Sequence, residues 1–408
     1  MLIRSNNFFK ILVLAFYLIY LILGFLIYED FGITTDEEFQ RYSGFYWLQY
    51  ILNFTPFENL KYLVNEKILA IEGFTLPNPK DFPFYGVIFD TPLALLETLF
   101  QINDSQSYFF LRHKMNFIVF FISSVFLYKL LRNRFNKNFL TIFGVLLYIT
   151  SPRIFGDSFF NNKDIIFLSL VTISIYYYFK LVDNFNYKNI LLFGFVAAIA
   201  TSARIIGIFL PISYLILKLF EALDKKNNFK FWLKILIFLI TYFVSLIILW
   251  PYLWSDPIVN FFKAFSIFSN YIIDISFLFN GDYVSSKDLP LTYIPFWILI
   301  STPVSTILFF LLGYLLCFRK AISGIFALEK GKDIWGNKNE EKDFFIFANF
   351  TLIVLYLIFS NTVLYNGWRQ IYFLHFFIIY FAFFFIKYIF YYSNNLKKYF
   401  LILFFLII

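Results

Sequence analysis

Three adjacent carboxylates, Asp36, Glu37 and Glu38, follow the first long hydrophobic run of the chain. A carboxylate at the edge of an apolar wall can become more basic by desolvation, and it can then remove a proton from a hydroxyl or amine. Asp36 and Glu37 are therefore candidate catalytic residues, whereas Glu38 is assigned a structural role. The alternative is an acidic helix N-terminus, with Thr34 or Thr35 as its cap and the carboxylates favourable to the helix dipole.

Four basic residues in other polar segments could bind a phosphate: Arg153, Lys163, Arg204 and Arg369. Arginine suits bidentate contacts to phosphate, and lysine adds a compact point charge. The alternative for each is a long side chain that extends to the membrane interface. A functional role is favoured most clearly for Arg204, because it directly follows the small-residue run 197–203 and a cation inside or near a membrane segment is a functional candidate.

Aromatic and polar residues near these cations are candidate contacts to a sugar or an acceptor. Trp250 and Tyr252 could form a wall for stacking against a sugar ring, together with Trp254 and Trp368. The alternative for each ring is the aromatic belt found at membrane interfaces. Three further candidates complete the set; they are His113, Asp157 and Asp256.

The same residues bear on metal binding. Asp157, Asp164 and Asp256 could supply a second acid or a metal ligand, but their spacing specifies no metal. A lone histidine is a weak signal, and His113 fits a surface residue better than a catalytic one. One cysteine and two histidines in the chain exclude a Cys-based or His-rich metal site. We predict no cofactor and no metal ligands, and a divalent metal stays open.

The composition predicts a membrane protein that must position these residues between helices. Hydrophobic residues make up 60% of the chain and charged residues 15%, against about half and about a quarter in soluble domains. Apolar runs of about 20 residues recur, as in bilayer-spanning helices. The first run, 8–28, is too long for a signal peptide and lacks a cleavage site of small residues, so it is interpreted as a retained helix.

The net charge of +8 is distributed as a topology signal and not as a nucleic-acid footprint. Six segments contain 21 Lys or Arg and 8 Asp or Glu, and basic short loops stay cytoplasmic. The remaining polar segments contain 12 Lys or Arg and 18 Asp or Glu, with Lys218 apart near a helix end. We therefore predict a cytoplasmic N-terminus and an extracytoplasmic position for every candidate residue. The cytoplasmic segments are 1–10, 129–138, 180–189, 221–234, 318–343 and 387–398.

Residues 190–220 could form one helix or a hairpin of two. One helix would span about 45 Å at about 1.5 Å per residue, beyond a hydrocarbon core of about 30 Å. It would also place the basic segments 180–189 and 221–234 on opposite sides of the membrane. We therefore predict two short helices, with Arg204 near the outer turn and Pro211 compatible with a broken second helix.

The fold class is all-α, a polytopic membrane protein with about 10–11 transmembrane helices in one domain, 1–408. Two larger outer segments, 29–111 and 251–293, separate the helices. In the first, 37–53 and 90–102 are predicted as helices on the membrane surface, and a small soluble cap is the alternative. The apolar run 399–408 is too short to span, so the chain could end inside an eleventh helix. The ten predicted helices cover 8–28, 111–130, 138–152, 165–180, two short helices within 190–220, 233–250, 294–317, 344–361 and 371–387.

This layout resembles the GT-C membrane glycosyltransferases, in particular the group of polyprenyl-phosphate-mannose protein mannosyltransferases and aminoarabinose transferases. The resemblance extends over essentially the whole chain in layout, and its motifs are short. They are Thr35-Asp36-Glu37, Arg112-His113, Ser151-Pro152-Arg153 through to Asp164, Thr201-Ser202-Ala203-Arg204 and Trp250-Pro251-Tyr252.

The resemblance implies a transferase that uses a polyprenyl-phosphate-linked sugar at the outer face of the membrane, with Asp36 as the base. It implies that basic residues hold the lipid phosphate, here Arg204, Arg153, Lys163 and Arg369. The chain shows no large soluble C-terminal domain of the kind that oligosaccharide-transferring relatives possess, which favours a monosaccharide donor. The expected partners are this donor, a lipid, glycan or protein acceptor, and the bilayer, with no nucleic acid. The expected location is the bacterial inner membrane.

Two other classes compete with the transferase. A transporter or flippase of a lipid-linked sugar would place charges at the membrane midplane and often shows inverted repeats, and neither is visible here. A catalytically inactive scaffold is weakly disfavoured by the intact carboxylates at 36 and 37. Wide separation of Asp36 from Arg204 and the segment 151–164 would favour the transporter.

Overall fold

The structure is a computed structural model. It describes residues 2–72, 76–135, 138–224, 229–269, 274–328, 336–360 and 362–392.

Within these ranges the chain is almost entirely helical, and eight helices are long and apolar enough to cross a membrane. This confirms the all-α polytopic fold. Two shorter apolar helices, Leu140–Ile149 and Tyr187–Ala203, correspond to the third and fifth predicted spans. The eight longer spans are Phe8–Asp30, Ser105–Phe135, Asp164–Asp183, Ile205–Ala222, Phe229–Leu249, Val304–Ser323, Lys338–Phe359 and Leu374–Tyr391.

Sixteen α-helices and one β-hairpin form the described part of the chain. In chain order the helices are α1 (Leu2–Ile27), α2 (Thr35–Leu52), α3 (Glu58–Glu72), α4 (Asp90–Leu99), α5 (Ser105–Phe135), α6 (Asn138–Ile149), α7 (Pro152–Phe160), α8 (Asp164–Asp183), α9 (Tyr187–Ala203), α10 (Phe209–Asp224), α11 (Phe229–Leu249), α12 (Pro257–Ser269), α13 (Tyr293–Ser301), α14 (Val304–Leu328), α15 (Lys338–Phe359) and α16 (Leu374–Tyr392). The hairpin consists of β1 (Ser276–Phe279) and β2 (Asp282–Ser285).

Helix α16 lies at the centre of the bundle. Every residue from Ile371 to Phe384 is buried, so this part of the chain contacts protein on all sides. This explains why its sequence is apolar around the whole helix. Gly313 on α14 lets the two helices approach closely, since an added Cβ would overlap the carbonyl of Phe381. The central helix therefore holds the turn that precedes it in a fixed position.

The predicted hairpin over 190–220 is confirmed by the structure. Helix α9 ends at Ala203, Arg204 is extended with φ −146° and ψ 129°, and α10 begins at Phe209 after a short 3-10 turn. Arg204 is thus the residue at which the chain reverses direction.

The predicted helix 294–317 is wrong as one continuous helix. It consists of α13 and α14, which are separated at Thr302 and Pro303. Proline has no N–H to donate and disfavours helical backbone at the residue before it, and Thr302 is extended with φ −112° and ψ 139°.

The first outer segment forms a small helical cap. The predicted surface helices 37–53 and 90–102 correspond to α2 and α4, whereas α3 is absent from the prediction. Apolar residues of the three helices pack into a core of their own, separate from that of the bundle. These helices therefore bury apolar faces against one another, which is the arrangement of the cap alternative. Their shared core consists of Phe45, Leu48, Leu52, Val64, Ile68, Ile71 and Ala94.

The second outer segment contains α12 and a β-hairpin that is also absent from the prediction. Strands β1 and β2 pair antiparallel through a two-residue turn at Asn280 and Gly281. Both turn residues have positive φ, 53° and 97°. Asn-Gly is the preferred sequence for such a turn, so a local signal for the hairpin was present in the chain.

The basic segments assigned to the cytoplasm meet where α5 and α8 end and α15 begins. Arg134 Nε donates to Asp343 Oδ1 at 2.7 Å, and Lys342 Nζ donates to Asp183 Oδ1 at 2.5 Å. These ion pairs connect α5, α8 and α15. The predicted terminal helix 399–408 lies outside the described residues.

Candidate active site

The turn that precedes α16 brings together four of the predicted site residues, Asp36, Arg153, Arg204 and Arg369. Arg369 Nη1 lies 2.7 Å from Asp36 Oδ2. The backbone carbonyl of Gln370 accepts a hydrogen bond from Arg204 Nη1 at 2.8 Å. The hydroxyl of Tyr372 accepts one from Arg153 Nε at 2.6 Å. Arg369, Gln370 and Tyr372 thus connect the candidate base to Arg204 and Arg153, two further candidate cations.

Helix α2 presents Asp36 by means of a capping box. The Thr34 backbone N–H donates to Glu37 Oε1 at 2.7 Å, and the Thr34 side chain receives the reciprocal bond. This is the acidic N-terminus that the alternative interpretation expected, and it involves Glu37. Asp36 points elsewhere: its side chain is 43% exposed and pairs with Arg369.

Glu37 and His113 form a buried pair below Asp36. His113 Nε2 lies 2.9 Å from Glu37 Oε2, and each residue is 1% exposed. The surface position considered for His113 is therefore wrong. With its Nε2 occupied and its ring buried, His113 is not placed to contact a sugar or an acceptor, and Glu37 is not placed to accept a proton from one.

Arg204 is buried and held by several elements. Its Nη2 forms an ion pair with Asp164 Oδ1 at the start of α8. Its backbone pairs with Tyr85 from the first outer segment, and Gly86 N donates to Ala203 O at 3.3 Å. The guanidinium carbon lies 5.9 Å from the centre of the Tyr85 ring. Arg204 thus joins the cap, the hairpin and the turn before α16.

Lys163 is half-buried and makes no ion pair within 4 Å among the described residues. Its ammonium lies 3.7 Å from the centre of the Tyr85 ring and 5.2 Å from that of Phe39. Burial lowers the pKa of Lys163 to about 8, although the negative charges of Asp36 and Asp90 oppose this shift. A cation that lacks a partner beside the candidate base is available for an anionic ligand.

The charge of Arg369 is fixed by its surroundings. Burial alone would lower the pKa of its guanidinium, but the carboxylates of Asp36 and Asp164 outweigh burial and raise it. Its Nε is buried and has no hydrogen-bond partner among the described residues. Arg369 therefore stays charged and keeps one donor unused.

The segment 151–164, predicted as a turn, contains helix α7, which has Pro152 in its first turn where proline is well tolerated. Arg153 on this helix also donates from Nη2 to the carbonyl of Asn366 at 3.0 Å, and its guanidinium lies 5.6 Å from the Trp297 ring. Asn161 connects Asp157 and Asp164, donating to one oxygen of each at 3.2 and 3.0 Å.

Asp157 is half-buried on α7, close to these contacts. Burial raises the pKa of Asp157, although hydrogen bonds from Asn161 and Tyr372 oppose the shift. Asp157 is thereby linked through Tyr372 to Arg153, which donates to the same hydroxyl.

The aromatic wall is corrected by the structure. Trp250 is 1% exposed and Trp368 is 0% exposed, so neither presents a face to a sugar. Trp368 Nε1 donates to Ser301 Oγ at 2.7 Å, which fixes the turn before α16 against α13. Tyr252 is half-buried, edge-on to Trp47 at 6.1 Å.

Asp256 is exposed at the start of α12, where its Oδ1 accepts the backbone N–H of Val259 at 3.1 Å. This bond is typical of a helix cap. No contact of Asp256 with the paired cations is present among the described residues.

Asp90 is a site neighbour that sequence reasoning missed. Asn162 Nδ2 donates to Asp90 Oδ1 at 2.8 Å, and Arg112 Nη1 lies 3.3 Å from the same oxygen. Burial raises the pKa of Asp90 to about 6, against the opposing charges of Arg112 and Lys163. The contact positions the Asn162–Lys163 corner against α4 and α5.

Arg112 continues this buried network into the cap. Its Nη2 lies 3.7 Å from Glu97 Oε2, and Arg41 holds the same Glu97 with a 2.6 Å ion pair. Arg41 also pairs with Glu38 at 3.0 Å, in line with the structural role expected for Glu38. Helix α2, which presents Asp36, is thus anchored to α4 and α5 by buried charges.

An open cleft lies beside Arg204. Arg204, Tyr85 and Gln370 line its polar part. The rest of the lining is mainly apolar and comes from the first outer segment, the turn between α9 and α10, α12, α15 and the segment before α16. It includes Phe84, Ile205, Ile206, Phe268, Leu357, Val363, Leu364 and Ile371. Such a cleft can hold a molecule with an apolar body and an anionic head.

No group of three His, Cys, Asp or Glu side chains in the described part of the chain is arranged to hold a metal ion.

Like Asp90, the site residues Tyr85, Gln370 and Tyr372 were not predicted from the sequence. The signal for Tyr85 was weak, one aromatic residue before a glycine in a proline-rich segment. Gln370 and Tyr372 could have been found only from their position beside Arg369.

Part of the chain is similar to a known protein family. Residues 94–254 match the family model of the dolichyl-phosphate-mannose-protein mannosyltransferases. No curated protein matches the chain, and no solved structure matches it.

The matched region includes Arg112, Lys163 and Arg204 but neither Asp36 nor Arg369. With the many apolar helices, the match confirms the resemblance to the GT-C membrane glycosyltransferases and supports glycosyltransferase activity in an integral membrane protein.

Proposed function

We propose that this chain transfers a sugar from a polyprenyl-phosphate-linked donor to an acceptor at the extracytoplasmic face of the membrane, with Asp36 as the general base. The contact between Asp36 and Arg369 carries the proposal, because it places an exposed carboxylate beside a set of cations at the end of an apolar cleft.

The cations suit the phosphate of the donor. Arg369 has an unused Nε donor, Arg204 has a buried Nε without a partner among the described residues, and Lys163 has no ion pair there. Arginine binds phosphate through parallel N–H bonds, and lysine adds a point charge. Together they would stabilise the negative charge that develops on the departing lipid phosphate, which is usually the largest catalytic contribution.

The cleft suits the lipid part of the donor. Its apolar lining leads directly to Arg204, so a chain in the cleft would bring its phosphate to the cations. Burying apolar surface contributes about 25 cal/mol per Å², so even one or two isoprene units in the cleft would contribute to affinity.

The reaction follows from this placement. Asp36 accepts the proton of the acceptor hydroxyl or amine, and the acceptor atom attacks the anomeric carbon. The bond between that carbon and the phosphate oxygen breaks, and its electron pair leaves with polyprenyl phosphate. Polyprenyl phosphate is a good leaving group, so the base and the cations suffice for this step.

Neighbouring residues hold Asp36 in position. The Glu37–His113 pair and the capping box at Thr34 fix the first turn of α2, and Arg41 connects the same helix to α4. We assign Glu37 to this positioning, because its oxygens are already occupied by His113 and Thr34. A fixed carboxylate favours reaction because it need not be ordered when the acceptor binds.

The arrangement favours the transferase over the transporter. Contacts lead from Asp36 to Arg369, from Gln370 to Arg204, and from Arg204 to Asp164 on the segment 151–164. The excess of basic residues at the opposite end supports a cytoplasmic N-terminus and an outward-facing site, and the inner membrane of a bacterium remains the proposed location.

The proposal is tested by sugar transfer in proteoliposomes. The purified chain is supplied with polyprenyl phosphates that carry labelled hexoses or pentoses and with lipid, glycan and peptide acceptors. We expect Asp36→Asn to lower transfer by about 10²–10⁴-fold, the usual contribution of a general base. The matched control is Asp30→Asn, the same change at an exposed residue near the end of the first span.

Near-normal transfer by Asp36→Asn would overturn the assignment of the base. A wild-type protein that transfers no sugar and binds no polyprenyl phosphate would overturn the function.

A further inference from the structure

The side chain of Gln370 is a polar group whose hydrogen-bonding capacity is unused. Its Oε1 and Nε2 are both buried, and neither has a hydrogen-bond partner among the described residues. The same residue lines the cleft beside Arg204. Its backbone is fixed, because the carbonyl accepts the 2.8 Å bond from Arg204. An amide is thus held at the polar end of the cleft with its functional atoms free.

An unpaired amide in such a place is costly. Each buried donor or acceptor without a partner costs about 1–3 kcal/mol, whereas an apolar residue of similar shape would avoid the cost. Neighbouring residues show that the fold can satisfy polar groups here, since the hydroxyl of Tyr372 and the indole of Trp368 both have partners. Gln370 therefore fits a group that finds its partner in a ligand.

The chemistry of the amide identifies that partner. Arg204, Arg369 and Lys163 are donors only, which suits phosphate oxygens. The Gln370 amide offers donors and an acceptor side by side, which suits a hydroxyl group, because a hydroxyl also donates and accepts. A sugar attached to the phosphate presents such hydroxyls.

The position of Gln370 agrees with this chemistry. Arg369 precedes Gln370 in the chain and contacts Asp36. The backbone carbonyl of Gln370 contacts Arg204. The residue thus lies between the proposed base and one of the proposed phosphate-binding cations, where the anomeric carbon and the rest of the sugar must lie during transfer.

We propose that the side-chain amide of Gln370 binds a hydroxyl of the sugar being transferred and helps to select that sugar. This inference rests on the proposed function. It adds a specificity-determining residue and separates the sugar contact from the phosphate contacts.

The test compares binding of two ligands to the full chain in nanodiscs. The first is bare polyprenyl phosphate. The second is the best binder among polyprenyl phosphates that carry mannose, glucose, galactose or a pentose. The variant is Gln370→Met, which keeps length and flexibility but removes the amide. We expect unchanged affinity for the bare lipid and a loss of roughly three- to thirtyfold for the best sugar-bearing lipid, the contribution of one or two hydrogen bonds.

The matched control is Gln49→Met, the same substitution on α2 at a residue outside the lining of the cleft. The Gln49 amide is already paired with Asn65, so its loss should leave both affinities unchanged.

The possible outcomes separate this inference from the proposed function. If Gln370→Met lowers the affinity for both ligands equally, or keeps the wild-type preference for the sugar-bearing lipid, the inference is wrong while the function stands. If no sugar improves binding to the wild type over the bare lipid, the inference is also wrong. If the wild type binds no polyprenyl phosphate at all, the proposed function fails and the inference fails with it.

Discussion

Arg369 Nη1 lies 2.7 Å from Asp36 Oδ2, so the proposed base and a proposed phosphate ligand neutralise each other in the absence of substrate. A donor phosphate that enters the cleft competes with Asp36 for the same guanidinium. Binding of the donor would then release the carboxylate for the acceptor. The order of events is thereby linked to one ion pair, and it can be examined by removing either partner.

Asp36→Asn should lower transfer by about 10²–10⁴-fold and at the same time bind bare polyprenyl phosphate more tightly than the wild type. The gain should be up to about fivefold, because an ion pair with a partly exposed partner contributes only about 0–1 kcal/mol. Affinity can be measured by lipid titration with the protein in nanodiscs. Asp30→Asn, which removes an exposed carboxylate at the end of the first span, should show neither effect, and weaker lipid binding by Asp36→Asn would contradict the competition.

Affinity for the donor should fall at alkaline pH because of Lys163. Burial lowers the pKa of Lys163 to about 8, so the ammonium loses its charge as the pH rises through that value. A sugar-bearing lipid phosphate is a diester with one negative charge throughout this range, which leaves the lysine as the titrating partner. We expect binding to weaken as the pH rises above about 8, because Lys163 is then neutral in the free protein and must take up a proton when the phosphate binds.

Lys163→Arg provides the comparison, since arginine stays charged throughout this range. It should bind the donor with little dependence on pH, whereas Lys163→Met should bind weakly at every pH. An alkaline decline that persists in Lys163→Arg would assign the titration to another group.

Removal of Arg112 should destabilise the cap and misplace Asp36. Arg112→Met leaves the buried carboxylates of Asp90 and Glu97 without this partner, and breaking a buried ion pair costs about 3–5 kcal/mol. We expect a lower apparent melting temperature in detergent, measured by size-exclusion chromatography after heating, together with reduced transfer. Lys114→Met removes a nearby cation that contacts the Tyr28 ring and should lower the melting temperature much less. Equal losses in the two variants would argue against the network.

The parts of the fold that follow from chain length and apolar content could be predicted. Residues 190–220 are too long for one crossing, which placed Arg204 at a reversal of the chain, where the structure has it. The same reasoning joined α13 and α14 into one helix, because a single proline within a long apolar run is a weaker signal than the run itself. Helix α3 was missed because its apolar residues alternate with charged ones.

The candidate site could be predicted only in part. Asp36, Lys163, Arg204 and Arg369 stood out because charged residues are rare in this chain, and the structure brings them together. The partnership of Glu37 with His113 and the burial of Trp250 depend on residues far apart in sequence, and no local pattern encodes them.

Gly86→Ala should reduce transfer although Gly86 makes no contact with substrate. Its backbone lies against α9, where an added Cβ would overlap the carbonyl of Ser202, so the segment must move away from Arg204. That movement would carry Tyr85 away from Lys163 and Arg204, whose cations lie over its ring.

Gly156→Ala is the matched control, because an added Cβ on this α7 residue has no atom within 4 Å and alanine favours a helix. We expect donor binding and transfer in proteoliposomes to fall at least tenfold in Gly86→Ala, with similar yields of folded protein, and to stay unchanged in Gly156→Ala. Full activity of Gly86→Ala would show that the contact between this segment and Arg204 is dispensable, and it would remove Tyr85 from the description of the site.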